Sequence, residues 1–160
     1  QLGPANLADC VDEAISLLSL DRDARAVVFS NHCDREMVVL ANAQRLLQVF
    51  INLLSNARDA SPDQGEITVW AQDNDNQVTI HVEDQGRGIA PEMQSRVFEP
   101  FYTSKEPGEG TGLGLALVFS IMEDMGGSVH ITSPVHAGET AGTRLTLSLA
   151  PANYGAELEV

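Results

Sequence analysis

Two segments that alternate apolar and polar residues constrain the fold more than any other feature of this sequence. They read EITVWAQD, which begins at Glu66, and QVTIHVED, which ends at Asp84. Both are rich in β-branched residues, and only the polar sequence NDN separates them, so we predict an antiparallel hairpin. Strands of this kind bury one face, which requires a layer of helices or a second sheet to cover it.

Helical periodicity supplies that covering layer. We predict helices over residues 7–18, from an N-cap at Asn42 to the breaker sequence SPDQG, and over about 113–125, before Gly126 and Gly127. We also predict short strands near 26–30, 37–40, 128–133 and 143–149, and a short helix near 92–97.

The order of these elements predicts an α/β (α+β) two-layer sandwich, with helices on one face of a mixed, largely antiparallel sheet. A chain of 160 residues suits one domain. We expect a core over about 7–151, a long mobile loop over about 88–112 and a C-terminal tail over 152–160.

The chain is strongly acidic, with 23 Asp and Glu against 9 Lys and Arg and a formal net charge of -14. Its field repels a nucleic-acid backbone and an anionic membrane surface, so we expect neither as a partner. No apolar run approaches the roughly 20 residues that cross a bilayer, which favours a cytoplasmic setting. Cys10 and Cys33 lack any metal-ligand or C-x-x-C spacing, so we expect structural, reduced thiols.

The helix after Asn42 carries an unusual polar stripe. On a helical wheel, Gln48, Asn52, Asn56 and Asp59 fall within about 80 degrees of one another, opposite an apolar face. Solvated helix faces favour Lys, Glu and Arg, whereas Asn is a poor helix former. The stripe therefore predicts a ligand-contacting surface.

Two glycine-containing motifs follow the hairpin. Asp84 ends a strand and begins a D-x-G-x-G pattern, in which the carboxylate can accept a hydrogen bond from an exocyclic amine, although a tight turn explains the pattern equally well. The sequence GEGTGLGLAL leads directly into a helix, and unpaired N–H groups at such a terminus suit a di- or triphosphate. Between them lies VFEPFYTSK, whose Lys105 is the only lysine in the chain and is expected to contact phosphate.

Four of these pieces, in this order, resemble the nucleotide-binding boxes of the histidine kinase ATP-binding domain. NLLSNARDA is similar to the N box, DQGRG to the first glycine box, FEPFYTSK to the F box and GTGLGLAL to the second glycine box. The superfamily also holds DNA gyrase, the mismatch-repair ATPase and the heat-shock chaperone. The resemblance covers roughly residues 7–151 and implies the Bergerat fold and the ligands ATP and Mg²⁺.

The resemblance also implies roles for individual residues. Asn56 would coordinate Mg²⁺, Asp84 would accept from the adenine amino group, and Lys105 would contact the terminal phosphates. Asn52, Asn56 and Lys105 are the candidate catalytic residues. The candidate ligand-binding residues are Asn56, Asp59, Asp84, Gly86, Gly88, Ile89, Phe101, Lys105, Gly110, Thr111, Gly112, Leu113, Gly114 and Thr143. Asp59 stands where some family members have a basic residue, so Arg58 is expected to share the neutralisation of phosphate with Lys105.

Asn52 decides between two activities within the superfamily. ATP-hydrolysing relatives place a Glu four residues before the metal-binding Asn, whereas an amide is no general base. The sequence therefore favours a kinase that transfers the γ-phosphoryl group to a histidine over an ATPase.

No histidine in the chain has the sequence context of a phosphoacceptor, and His81 and His130 fall on predicted strands. The resemblance therefore implies the catalytic part of a larger sensor kinase, which carries its acceptor on a dimerisation hairpin and acts on a response regulator. We expect the domain alone to be a monomer that does not autophosphorylate, while its parent could be anchored in the inner membrane. An ATPase, a serine-directed kinase of the anti-sigma type and a nucleotide-binding regulator without catalysis remain alternatives.

Overall fold

The computed structural model describes residues 1–21, 26–99, 114–135 and 141–152. Within these ranges the helices are α1 (Leu7–Leu18), α2 (Ala43–Ala60), α3 (Pro91–Gln94) and α4 (Gly114–Asp124). The strands are β1 (Gly3–Asn6), β2 (Val28–Asn31), β3 (Val38–Ala41), β4 (Glu66–Asn74), β5 (Gln77–Asp84), β6 (Ser128–Thr132) and β7 (Thr143–Leu149).

The main sheet has the strand order β2-β4-β5-β7-β6. β2 runs parallel to β4, and every other neighbouring pair is antiparallel. The predicted hairpin is confirmed, with Asn74 paired to Gln77 at its closed end. The mixed, largely antiparallel sheet therefore has the predicted form.

One face of this sheet is covered by helices. The inward side chains of β5, Val78, Ile80 and Val82, are at most 2% exposed. α2 lies between α1 and α4 and packs on β4 and β5, burying Leu46 and Phe50 completely. Because the opposite face of the sheet keeps half-buried polar and aromatic residues, the two-layer sandwich is confirmed.

The predicted boundaries lie within two residues of the observed ones except at two places. α1 begins and ends as predicted, and the Asn42 side chain caps α2 by accepting a hydrogen bond from the Arg45 N–H at 3.0 Å. The short helix predicted near 92–97 is instead α3 at 91–94, because the following residues form separate turns with i to i+3 hydrogen bonds.

β1 was missed, because the sequence GPAN shows no alternation and consists mostly of residues that are rare in strands. It forms through tertiary pairing with β3, where Gly3 lies opposite Ala41. The predicted mobile loop at 88–112 is described only to residue 99, and the predicted tail lies outside the described residues except for Ala152. No helix in the described ranges has both the length and the apolar character needed to cross a bilayer.

Candidate functional site

The polar stripe of α2 faces the first turn of α4. Gln48 Nε2 donates to Asn52 Oδ1 at 2.7 Å, and Asn52 Nδ2 donates to the Gly114 carbonyl at 3.2 Å. Oδ1 and Nδ2 of Asn52 therefore both make hydrogen bonds to other residues of the chain. This chain of hydrogen bonds ties the stripe to the end of the glycine-rich sequence.

Asn56 lies one turn further along α2 and is half-buried. Its amide makes no hydrogen bond with other residues in the described ranges. It sits beside Gly114, where an added Cβ would lie 3.5 Å from Asn56 Nδ2 and 3.8 Å from Oδ1. An amide oxygen of this kind is a ligand that Mg²⁺ accepts, and Mg²⁺ commonly takes few protein ligands alongside phosphate oxygens. The Oδ1 of Asn56 therefore fits the metal role that the family resemblance implies.

Asp84 is a preformed acceptor at the end of β5. It is 7% exposed, and its Oδ1 accepts hydrogen bonds from the Gly86 N–H at 2.8 Å and the Thr143 N–H at 3.2 Å. Burial raises the pKa of Asp84 because it disfavours the charged form, and the two N–H groups partly oppose this shift. Oδ2 accepts no hydrogen bond from the described residues, so this oxygen is available to a ligand donor.

The two glycines after Asp84 are required by packing and backbone conformation. A Cβ on Gly86 would lie 2.4 Å from the Ala60 carbonyl oxygen, so only glycine lets this loop rest on the end of α2. Gly88 has a φ of 81°, which side-chain-bearing residues rarely adopt. The contact between Gly86 and Ala60 brings the Asp84 loop to the end of the helix that carries Asn56.

Two residues that the sequence analysis missed hold this loop in place. Ser133 Oγ accepts from the Ile89 N–H at 2.8 Å and donates to the Gly142 carbonyl at 2.8 Å. Gln94 Nε2 donates to the Ile89 carbonyl at 3.0 Å and to the Ser133 carbonyl at 2.7 Å. No sequence signal identifies either residue, because these contacts join separate segments and a single Ser or Gln forms no pattern.

The structure covers part of the predicted site. It brings Asn52 and Asn56 to Gly114, and Asp84 to Gly86 and Thr143. Asp59 is exposed in the last turns of α2. Six of the predicted residues lie outside the described ranges: Phe101, Lys105, Gly110, Thr111, Gly112 and Leu113.

The prediction that Arg58 helps to neutralise phosphate is wrong. Its side chain is 8% exposed, and its Nη1 donates to the Leu18 carbonyl at 3.0 Å while Nη2 lies 3.8 Å from an Asp21 oxygen. Arg58 is two residues beyond Asn56, about 200 degrees around the helix, and so faces α1. Its guanidinium hydrogen-bonds a carbonyl at the C-terminal end of α1 and does not face the polar stripe.

The structural roles predicted for His81 and the cysteines are confirmed. His81 stacks on Trp70 with 4.9 Å between ring centroids, and its Nδ1 lies 2.9 Å from Thr146 Oγ1, on the sheet face away from the helices. Cys10 and Cys33 are buried free thiols, and burial raises the pKa of Cys10 to about 12 and that of Cys33 to about 11. Neither thiol is a nucleophile at neutral pH.

Comparison with known proteins agrees with this geometry. Sporulation kinase A of Bacillus subtilis is 33% identical over 134 residues, which cover 83% of this chain and 22% of that protein. The solved structure of the mycobacterial sensor histidine kinase MprB superposes with a TM-score of 0.84 at 26% identity, covering 94% of this chain and 98% of that one. Full-length ShkA in complex with AMPPNP gives a TM-score of 0.78 at 26% identity, covering 95% of this chain and 32% of that one.

The chain spans about a third or less of the length of the curated relatives it matches. Residues 41–153, most of the chain, match the sequence model of the family described as histidine kinase-, DNA gyrase B-, and HSP90-like ATPase. The family match covers α2, the Asp84 loop, α4 and β7, which are the elements that form the candidate site. The chain therefore belongs to the family of histidine kinase-, DNA gyrase B- and HSP90-like ATPases.

Proposed function

We propose that this chain is the ATP-binding catalytic domain of a sensor histidine kinase. It binds Mg-ATP and transfers the γ-phosphoryl group to a histidine on a dimerisation hairpin of its parent protein, from which a response regulator is phosphorylated. The observation that carries the proposal is Asp84, a buried carboxylate with one oxygen fixed by two N–H groups and the other open to a ligand. The similar fold of full-length ShkA, which was solved in complex with AMPPNP, gives independent support for a nucleotide ligand.

The two ends of the nucleotide meet different groups in this proposal. Asp84 Oδ2 accepts from the exocyclic amine of adenine, which gives the site its preference for that base. Asn56 Oδ1 would hold Mg²⁺, whose charge would offset that of the phosphates. Lys105 and the glycines up to Gly114 would complete the phosphate end, as the sequence predicts. Asn56 and Asp84 lie on elements joined by the Gly86–Ala60 contact, and the proposal places one ligand across both.

Asn52 supports phosphoryl transfer to a protein acceptor over hydrolysis. Its amide is held between Gln48 and Gly114 and carries no basic group that could activate water. The domain then contributes position and charge neutralisation, and the acceptor imidazole supplies the nucleophile. A cytoplasmic setting, where ATP is available, belongs to this proposal.

The test is a calorimetric titration of the chain with a non-hydrolysable ATP analogue, with and without Mg²⁺. We expect Mg²⁺ to tighten binding in the wild type, and we expect Asn56→Ala to lose this gain while retaining metal-free binding. Asn76→Ala, at the exposed hairpin turn, is the matched control and should behave as the wild type. Absence of nucleotide binding by the wild type would refute the proposal.

Phosphoryl transfer needs a second assay, in which the chain is mixed with the hairpin of its parent and γ-labelled ATP. The expected result is label on a histidine of the hairpin, identified by its lability in acid. Steady release of free phosphate without labelled hairpin would show an ATPase, and labelled serine would show a serine-directed kinase.

A further inference from the structure

The loop from Gly86 to Ile89 is attached to the rest of the protein through side chains that do not belong to the nucleotide-binding sequence motifs. The Ile89 N–H is bound by Ser133 Oγ, and the Ile89 carbonyl is bound by Gln94 Nε2. Gln94 Nε2 also binds the Ser133 carbonyl, which joins the two side chains into one unit. We refer to Ser133 and Gln94 with these hydrogen bonds as the Ile89 clasp.

The Ile89 clasp also reaches the second segment that orients Asp84. Ser133 Oγ donates to the Gly142 carbonyl at 2.8 Å, and the Gly142 N–H donates to the Gly86 carbonyl at 2.9 Å. The next residue, Thr143, supplies one of the two N–H groups on Asp84 Oδ1, and Gly86 supplies the other. A single hydroxyl therefore links the two chain segments whose N–H groups fix the Asp84 carboxylate.

The clasp residue of α3 is also the least exposed residue of that helix. In α3, Pro91, Glu92 and Met93 are exposed, and Gln94 alone is half-buried. At Gly88, an added Cβ would lie 2.9 Å from Ser133 Oγ, so the loop backbone rests directly against the hydroxyl. Loss of the Ser133 hydroxyl would remove the partner of the Ile89 N–H, and loss of the Gln94 amide would remove the partner of the Ile89 carbonyl.

We propose that Ser133 and Gln94 are positioning residues for nucleotide binding. They set the position of the loop after Asp84 and thereby the direction in which its Oδ2 presents to the exocyclic amine of adenine. This inference rests on the proposed function, because it assigns the clasp to the adenine end of that site. Asn56, at the metal end, makes no contact with the clasp among the described hydrogen bonds.

The test compares ADP affinity by calorimetry for Ser133→Ala and Gln94→Met with the wild type. Each substitution removes two hydrogen bonds from the clasp and should weaken ADP binding about three- to tenfold. Ser133→Thr keeps the hydroxyl and should bind within about twofold of the wild type. Ser128→Ala, at the start of the strand β6 that precedes Ser133, and Gln77→Met, at the exposed start of β5, are matched controls that should change nothing.

A second readout separates positioning from general loosening of the fold. The ratio of ATP-analogue affinities with and without Mg²⁺ should stay at the wild-type value in both variants, because Asn56 is untouched. The double variant Ser133→Ala/Gln94→Met should lose less affinity than the product of the two single losses, since both side chains hold the same residue. Thermal melts establish that each variant is folded at the titration temperature.

The outcomes distinguish the two proposals. If the wild type binds ADP and both variants bind as tightly, the clasp has no positioning role and the inference is overturned while the proposed function stands. If the variants lose ADP affinity and also lose the gain in ATP-analogue affinity that Mg²⁺ gives, the inference is overturned as well, because the clasp would then be a general structural element. If the wild type binds no nucleotide, the proposed function fails and the inference fails with it.

Discussion

Replacing Asp84 by Asn separates the contribution of this residue to stability from its contribution to binding. The Asn carbonyl can accept both hydrogen bonds that Oδ1 now receives from the Gly86 and Thr143 N–H groups. The side chains have nearly the same shape, so the loop is expected to keep its conformation. The amide nitrogen then takes the place of the open Oδ2, which turns an acceptor into a donor.

The stability change has a defined sign. Burial raises the pKa of Asp84, so the unfolded chain releases this proton at lower pH than the folded chain does. Ionisation of Asp84 consequently lowers the free energy of unfolding as the pH rises from the ordinary aspartate range through the folded pKa. Asn carries no such charge. The free energy of unfolding of Asp84→Asn, relative to the wild type, should therefore increase as the pH is raised from about 3 to 7.

The binding change has the opposite direction. A hydrogen bond to a charged acceptor contributes about 1.5–3 kcal/mol, so its loss should weaken ADP binding about 10- to 150-fold. Inosine diphosphate carries a carbonyl oxygen where adenine has its amine, and the new Asn donor can bind that oxygen. The preference for ADP over inosine diphosphate should therefore fall sharply or reverse in Asp84→Asn.

The assays are urea unfolding between pH 3 and 7 and calorimetric titration with the two diphosphates. Asp63→Asn, in the exposed turn after α2, is a matched control that should leave the base preference unchanged. Unchanged ADP affinity in Asp84→Asn would refute the role of Asp84 at the adenine end. A relative stability that falls with rising pH would refute the account of its pKa.

Three further substitutions test other parts of the structure. Arg58→Met leaves the Leu18 carbonyl without the Arg58 donor, so urea unfolding should show a free energy of unfolding lower by about 1–3 kcal/mol. ADP affinity should stay within about twofold of the wild type. A large loss of affinity in a folded variant would restore a phosphate role for Arg58. Gly88→Ala places a side chain on a residue with a φ of 81° and against Ser133 Oγ, so it should lower the free energy of unfolding by about 1–2 kcal/mol and weaken ADP binding. Unaltered stability in thermal or urea unfolding would contradict this. Burial, aided by Arg144, lowers the pKa of His81, so the free energy of unfolding should fall as the pH drops below about 6.5 towards the folded pKa. His81→Gln should reduce this pH dependence, measured by urea unfolding from about pH 8 to 5. An identical pH dependence in the variant would show that other groups cause it.

The parts of the fold that could be predicted from sequence are those with strong local patterns. The β4–β5 hairpin and α1 follow from periodicity, and the start of α2 follows from the Asn42 cap. β1 could not be predicted, because its strand conformation depends on pairing with β3, about 35 residues away. Local pattern fixes which face of an element is apolar, whereas edge pairings of short strands are decided by tertiary contacts.

The candidate site likewise contains residues that could be predicted from sequence and residues that could not. Asp84 and Asn56 could be identified because they fall within recognisable motifs, and the structure gives each a geometry that suits its predicted role. The direction of Arg58 could not be read from its sequence neighbours, although the helical wheel already places it away from the polar stripe. Ser133 and Gln94 could not be found at all, since their importance arises from the Ile89 peptide groups that they bind.

The distribution of positive charge explains why the two ends of the nucleotide would be recognised differently. Five arginines in the described ranges lie within ion-pair distance of an Asp or Glu: Arg35, Arg45, Arg58, Arg96 and Arg144. These five side chains already lie near carboxylates in a chain with a net charge of -14, so under the proposed function neutralisation of the phosphates would fall largely to Mg²⁺ on Asn56 and to Lys105. The adenine end needs no such compensation, because Asp84 is already fixed by neighbouring N–H groups. Under the proposed function, base recognition would thus be built into the fold, whereas phosphate binding would depend on the metal.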